Sequence, residues 1–144
     1  TREEFSRAID AFVPSSNYMY ALRVTGRFAW ASARTVTKQD RPYRPMVEAT
    51  DGEEIARHED FSGTIAGFRT PLYESGISVA GCHAHIIDDD RTWGGHLVDF
   101  VLEEGEAELC LGTDFRMRLP LTEEFRTVDL SEDKTEEIRR VEHH

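Results

Sequence analysis

The segment GCHAHIIDDDRTWGGH, residues 81–96, constrains the fold more than any other part of the chain. Residues 77–87 carry a strand pattern, Asp88, Asp89 and Asp90 form an acidic turn-prone run, and a second strand pattern follows Gly94-Gly95. Together these read as a β-hairpin. In a strand, residues i and i+2 point to one face, so His83 and His85 present adjacent imidazoles, with Cα atoms roughly 6–7 Å apart. A turn over residues 88–93 returns His96 towards them. The chain has six histidines, two of them the terminal His143-His144, so three of the remaining four lie in this one hairpin. Three imidazoles with a vacant position form the layout of a catalytic zinc site. An isolated H-x-H fits ordinary polar residues on a half-buried strand equally well. The setting adds weight to the metal. Ile77, Val79, Gly81, His83, His85 and Ile87 are expected on one face, so the imidazoles interrupt a row of apolar or small residues. Buried imidazoles need partners, and a shared cation satisfies them together.

At 144 residues the chain has the length of one domain with a real core. Its net charge of −11 repels nucleic-acid phosphates and offers no basic patch to anionic membranes. An anionic small substrate must therefore be held by local cations. No run of eighteen apolar residues is present for a membrane-spanning helix, and no signal-peptide pattern opens the chain. Cys82 and Cys110 give no disulfide framework, and two free thiols suit a reducing cytoplasm. Cys82 and His83, as strand neighbours, point to opposite faces and cannot act as a nucleophile–base pair, so Cys82 reads as a small core residue. The start at Thr1 rather than Met leads us to expect residues upstream, a targeting segment among the possibilities. The closing His143-His144 reads as the remnant of a purification tag and is left out of every site argument.

Along the chain, Thr1-x-x-Glu4 is a capping box for a helix over residues 2–13 that Pro14 ends, with a stripe of Phe5, Ala8, Ile9 and Phe12. Strands are expected at 18–24 and 28–36 around a Thr25-Gly26 turn, and at 46–49. Residues 39–45 read as extended chain or loop, and 50–60 as an acidic surface loop. Further strands are expected at 61–68, 77–87, 95–104, 107–111 and 115–119, with turn chemistry over 69–76. A closing helix over 132–141 would use Ser131 as its cap. The fold class that follows is α+β: strand-dominated, a mostly antiparallel or mixed β-sheet with an N-terminal helix and a short C-terminal helix. Residues 1–142 form a single domain in this reading.

The segment GTIAGFRTPLYESGISVAGCHAHIIDDDRTWGGHLVDFVLE closely resembles the core of the α-acetolactate decarboxylases. Upstream, NYMYALRVTGRF and ARTVTKQDRPYRPMVEA resemble the preceding part of that family in the same order. The similarity runs from the first helix to about Glu142. The family is longer, and the chain looks like its C-terminal half or somewhat more, without an N-terminal β-rich portion. The resemblance implies a zinc-dependent conversion of 2-acetolactate to acetoin and carbon dioxide, with no organic cofactor. It implies zinc ligands at His83, His85 and His96, the residues already singled out by spacing. It also implies a functional arginine at Arg34, which spacing does not distinguish from Arg23, Arg27 or Arg44. A functional glutamate near the family's C-terminus falls on Glu142, and a second one lies upstream with no counterpart here. The expected partner is the small molecule 2-acetolactate, not nucleic acid or membrane. Strand edges left open by a missing sheet would make the chain a homo-oligomer through strand-mediated self-association.

Asp88–Asp90 read first as a solvated turn, with an orienting role towards a histidine as the alternative for one of them or for Asp99. Gly94-Gly95 is expected to supply unusual backbone angles before His96. Gly63 and Gly67 do not form a phosphate loop, and Trp30 and Trp93 read as core or pocket wall. Two other functions fit the same histidines. A cupin-like enzyme would use H-x-H with a later acid and histidine. A non-catalytic metal-binding or structural domain would use the triad to hold the hairpin, although structural zinc normally takes four protein ligands.

Overall fold

Three glycines set the strand lengths. Gly26, Gly63 and Gly105 lie in register on neighbouring strands, and a Cβ on Gly26 would sit 2.2 Å from the Glu104 carbonyl oxygen. Only residues without side chains allow the backbones to come this close. The result is long, continuous strands where the sequence suggests turns. The structure, a computed structural model, describes residues 1–36, 38–50, 55–131, 133, 134, 136 and 138.

Helix α1 (Arg2–Phe12) leads into strand β1 (Met19–Arg34), the one-turn helix α2 (Met46–Ala49) and strand β2 (Ile55–Thr70). A 3-10 turn at Leu72–Glu74 precedes β3 (Gly81–Asp88), β4 (Gly94–Gly112) and helix α3 (Glu123–Thr127). The four strands close into an antiparallel barrel in the order β1-β2-β3-β4. The expected class therefore holds, with the sheet closed on itself.

Several boundaries differ from the sequence reading. The two strands expected at 18–24 and 28–36 are one, β1. Hairpin turns of the primed types need positive φ, and Gly26 does not have it. For the same reason 95–104 and 107–111 merge into β4 across Gly105. Residues 46–49 form α2 rather than a strand, because the Pro45 carbonyl accepts from the Glu48 and Ala49 amides and nucleates a helical turn. Residues 55–60 belong to β2, where they pair with the second half of β1, while 51–54 lie outside the described residues. Strand β3 starts only at Gly81, so Ile77 and Val79 do not extend the histidine row. Residues 115–119 keep their alternation in sequence but form no strand. The helix expected over 132–141 falls largely outside the described residues. The short C-terminal helix is α3, capped by the Thr122 hydroxyl accepting from the Phe125 amide.

The barrel interior is apolar. Val24, Phe28, Ala31, Ile65, Ala84, Ile86, Leu97 and Phe100 fill it, and Phe28 stacks on Phe61 at 5.2 Å between ring centres. Each fully buried phenylalanine contributes about 1.5–3 kcal/mol from area alone. The Thr1–Glu4 capping box is present on α1. The inward stripe of the helix is Phe5, Ile9 and the following Val13, whereas Ala8 and Phe12 face out. The helix packs beside β4, with Phe5 edge-on to Phe100 and Asp10 paired to Arg69 of β2.

Candidate metal centre

The hairpin that carries the histidines is organised by Asp88. Its carboxylate accepts from the Thr92 amide and hydroxyl, both at 2.8 Å, and from the Trp93 amide at 3.0 Å. The Trp93 hydrogen bond above all holds its carboxyl below the usual carboxylate range, against the effect of burial. Asp88 thus takes the turn-forming role of the two considered, but as a buried carboxylate rather than a solvated one. Asp99 likewise binds backbone, accepting from the Arg2 and Phe100 amides. Gly94 and Gly95 are needed for space: a Cβ would meet the Ile86 oxygen at 2.5 Å or the Arg34 oxygen at 2.6 Å.

Alternation along β3 sends Ala84, Ile86 and Asp88 into the barrel, so His83, His85 and Ile87 lie on its outer wall. The triad is therefore half-exposed rather than embedded in an apolar face, as the sequence suggested. The inward positions are filled first by the residues that make the core. Cys82 lies on the inward side, packed against that core, and burial raises its thiol pKa, as expected for a small core residue. His58, the remaining histidine, stacks on Trp93 and lies tilted against Phe61, and is not part of the imidazole cluster.

Strand register brings the three imidazoles together. His85 pairs with His96 across β3 and β4, and His83 lies one side-chain step along β3. The His83 and His85 Nε2 atoms are 3.3 Å apart. Ligand atoms of a tetrahedral zinc with bonds of ~2.0–2.1 Å stand about 3.3–3.4 Å from one another, so this edge already fits. One ligand nitrogen from each ring lies within 4.8 Å of the other two, and the described residues hold no second such group. The His96 pKa is lowered to about 4, mainly by burial and then by the charge of Arg34, so its ring is neutral and ready to ligate at neutral pH.

Arg34 ends β1 directly opposite His96 and on the same outer wall. Register thus separates it from Arg23 and Arg27, which pair with Glu108 and with Glu103 and Asp60 further along the barrel. Glu142 lies outside the described residues, as do His143 and His144. The sequence reading missed Arg2. Its guanidinium donates to the Cys82 carbonyl at 3.1 Å and to the Leu97 and Val98 carbonyls at 3.2 and 3.0 Å. An arginine three residues before Phe5, on the inward stripe of α1, was the only signal available.

The sequence profile described as alpha-acetolactate decarboxylase matches residues 1–132. The chain belongs to that family. It is 42% identical over 130 residues to the alpha-acetolactate decarboxylase of Bacillus subtilis strain 168, covering 90% of this chain and 51% of that protein. It is 38% identical to the protein of that name from Raoultella terrigena, covering 99% of this chain and 55% of the relative. The crystal structure of the B. subtilis strain 168 protein superposes with a TM-score of 0.91 at 39% identity, covering 99% of this chain and 61% of that one. The chain spans about half the length of the relatives it matches. Membership of this decarboxylase family displaces the cupin-like reading. No described helix is long and apolar enough to cross a membrane.

Proposed function

We propose that this chain carries the metal-binding part of an enzyme that converts 2-acetolactate to acetoin and carbon dioxide, with zinc held by His83, His85 and His96. The observation that carries the reading is the 3.3 Å separation of two imidazole nitrogens beside a third, with Arg34 in register next to them. 2-Acetolactate is a β-keto acid, and losing its carboxylate leaves an electron pair for the neighbouring ketone to absorb. Bound zinc would supply a redox-inert Lewis acid for the negative charge that develops on the substrate oxygens. Arg34 offers a planar fork that matches a carboxylate and stays charged at any working pH. Its place beside the triad lets it grip the departing carboxylate. Proton delivery to the decarboxylated carbon then falls to a glutamate with raised pKa, for which Glu142 is the family-implied candidate in this chain.

Acetoin formation from 2-acetolactate by the whole protein, with zinc content measured alongside, tests this reading. His83→Ala should lose both zinc and activity. Arg34→Lys, which keeps the charge and loses the fork, should retain zinc and lose on the order of 10²-fold in kcat. A protein that binds zinc yet makes no acetoin would instead fit the non-catalytic metal domain. Self-association and a cytoplasmic setting complete the proposal. Association would use the apolar exterior, where Phe115, Met117 and Leu119 are exposed, together with the strand edges left where β3 and β4 part.

A further inference from the structure

The barrel closes poorly at the seam that carries the triad. Strands β3 and β4 pair only at His85–His96, Ile86–Gly95 and Ile87–Gly94, next to the hairpin turn. Beyond that point β3 is in register with β2 alone and β4 with β1 alone. A bulge contributes to the split: between Ser32–Asp99 and Ala33–Leu97 the register shifts, leaving Val98 as the extra residue of β4. His83 lies on the diverging part of β3, whereas His96 sits at the last paired position of β4. Backbone pairing across the seam therefore sets His85 against His96, whereas His83, in register with Phe68 of β2, lies beyond the β3–β4 pairing.

Arg2 spans this gap. One guanidinium nitrogen binds the Cys82 carbonyl on β3, and the other binds the Leu97 and Val98 carbonyls on β4. Cys82 immediately precedes His83, and Leu97 immediately follows His96. The backbone of Arg2 is itself held by the Asp99 carboxylate at 2.9 Å, and Phe5 seats the same helix against Phe100. The guanidinium thus bridges β3 and β4 where their ladder ends, next to the backbone positions of His83 and His96, whose ring centres lie 4.9 Å apart.

We propose that Arg2 is a positioning residue of the metal centre, holding β3 to β4 so that His83 and His96 can share one ion. The proposal rests on the reading of the triad as a metal site. Groups that orient metal ligands without touching the metal typically change affinity 10–100-fold when removed. A lysine offers no flat fork to bind both strands, so the conservative replacement should not restore the effect.

Cobalt(II) absorption and zinc competition on the whole protein test this. In Arg2→Met and Arg2→Lys, zinc should bind 10–100-fold more weakly, and the cobalt ligand-field bands should shift as the ligand set distorts. Ile9→Ala, which loosens α1 about two turns from Arg2 and leaves Phe5 on Phe100, should leave both the bands and the affinity as in the parent. Equal weakening in Ile9→Ala would reduce Arg2 to a packing role and overturn the proposal. Unchanged bands and affinity in Arg2→Met would overturn it too, while leaving the metal site standing. If the parent gives no tetrahedral cobalt spectrum, or His83→Ala gives the same one, the metal reading fails and this proposal with it. Should Arg2→Met not fold, Arg2→Lys carries the same expectation.

Discussion

His96 links the site to the stability of the chain that bears it. Its folded pKa of about 4 lies below the ordinary 6.5, because burial and the Arg34 charge both disfavour the imidazolium. Between those values the unfolded chain takes up a proton that the folded chain refuses, so stability rises with pH through this window. The contribution is complete above pH 6.5 and is lost as pH falls towards 4. Asp88 acts with the same sign but lower, its stabilisation disappearing only below its depressed carboxyl value. Urea denaturation of the metal-free protein at pH 7 and pH 5 should therefore show a smaller loss for His96→Asn than for the parent. An identical loss in both would mean that His96 does not carry the linkage. Asp88→Ala should lower Tm and weaken zinc retention, because the turn that sets His96 against His85 loses three hydrogen bonds at once.

At the scale of elements, the glycine row decides the architecture. Gly26 faces Gly63 on one side and Gly105 on the other, and the nearest backbone oxygen leaves no room for a methyl group. Backbone cannot swing aside as a flexible side chain can, so Gly26→Ala should cost more than the ~1–3 kcal/mol of ordinary overpacking. Chemical denaturation measures this, and a loss below about 1 kcal/mol would mean that β1 and β4 part easily there. The same glycines explain which parts of the fold could be read from the sequence. Glycine marks turns and close approaches alike, and only the neighbouring strands tell them apart, so β1 and β4 were each read as two strands. The triad was legible because its spacing is local: H-x-H is set by strand parity, and the turn that returns His96 is written in Asp88 and the glycines. That the triad faces outward was not legible, since both faces of β3 carry small or apolar residues and only the closed barrel decides which is core. Arg34 owes its place beside His96 to register across two strands, and Arg2 reaches carbonyls 80 to 96 positions downstream. Neither relation leaves a local pattern.

The whole molecule presents an imbalance. Its strands are paired into a closed barrel, yet large apolar side chains remain on the outside, including Phe68 beside the triad and the row Phe115, Met117 and Leu119. The last three alternate as a strand does, with Arg116 and Arg118 between them, but have no sheet to join among the described residues. Exposed large apolar side chains in this number mark a surface that associates. A second copy of this chain, carrying the same exposed apolar residues, would supply a matching cover. Light scattering of the 144-residue chain should thus show a mass above that of a monomer. Met117→Lys places a charge in the middle of the alternating row, where it would lose its hydration on association, and should shift the mass towards the monomer without changing the Tm. The barrel core does not include Met117, so the two readouts separate association from folding. A monomeric parent chain would overturn the expectation, and an unchanged oligomer in Met117→Lys would move the contact to another part of the exterior, with Phe68 the next residue to replace.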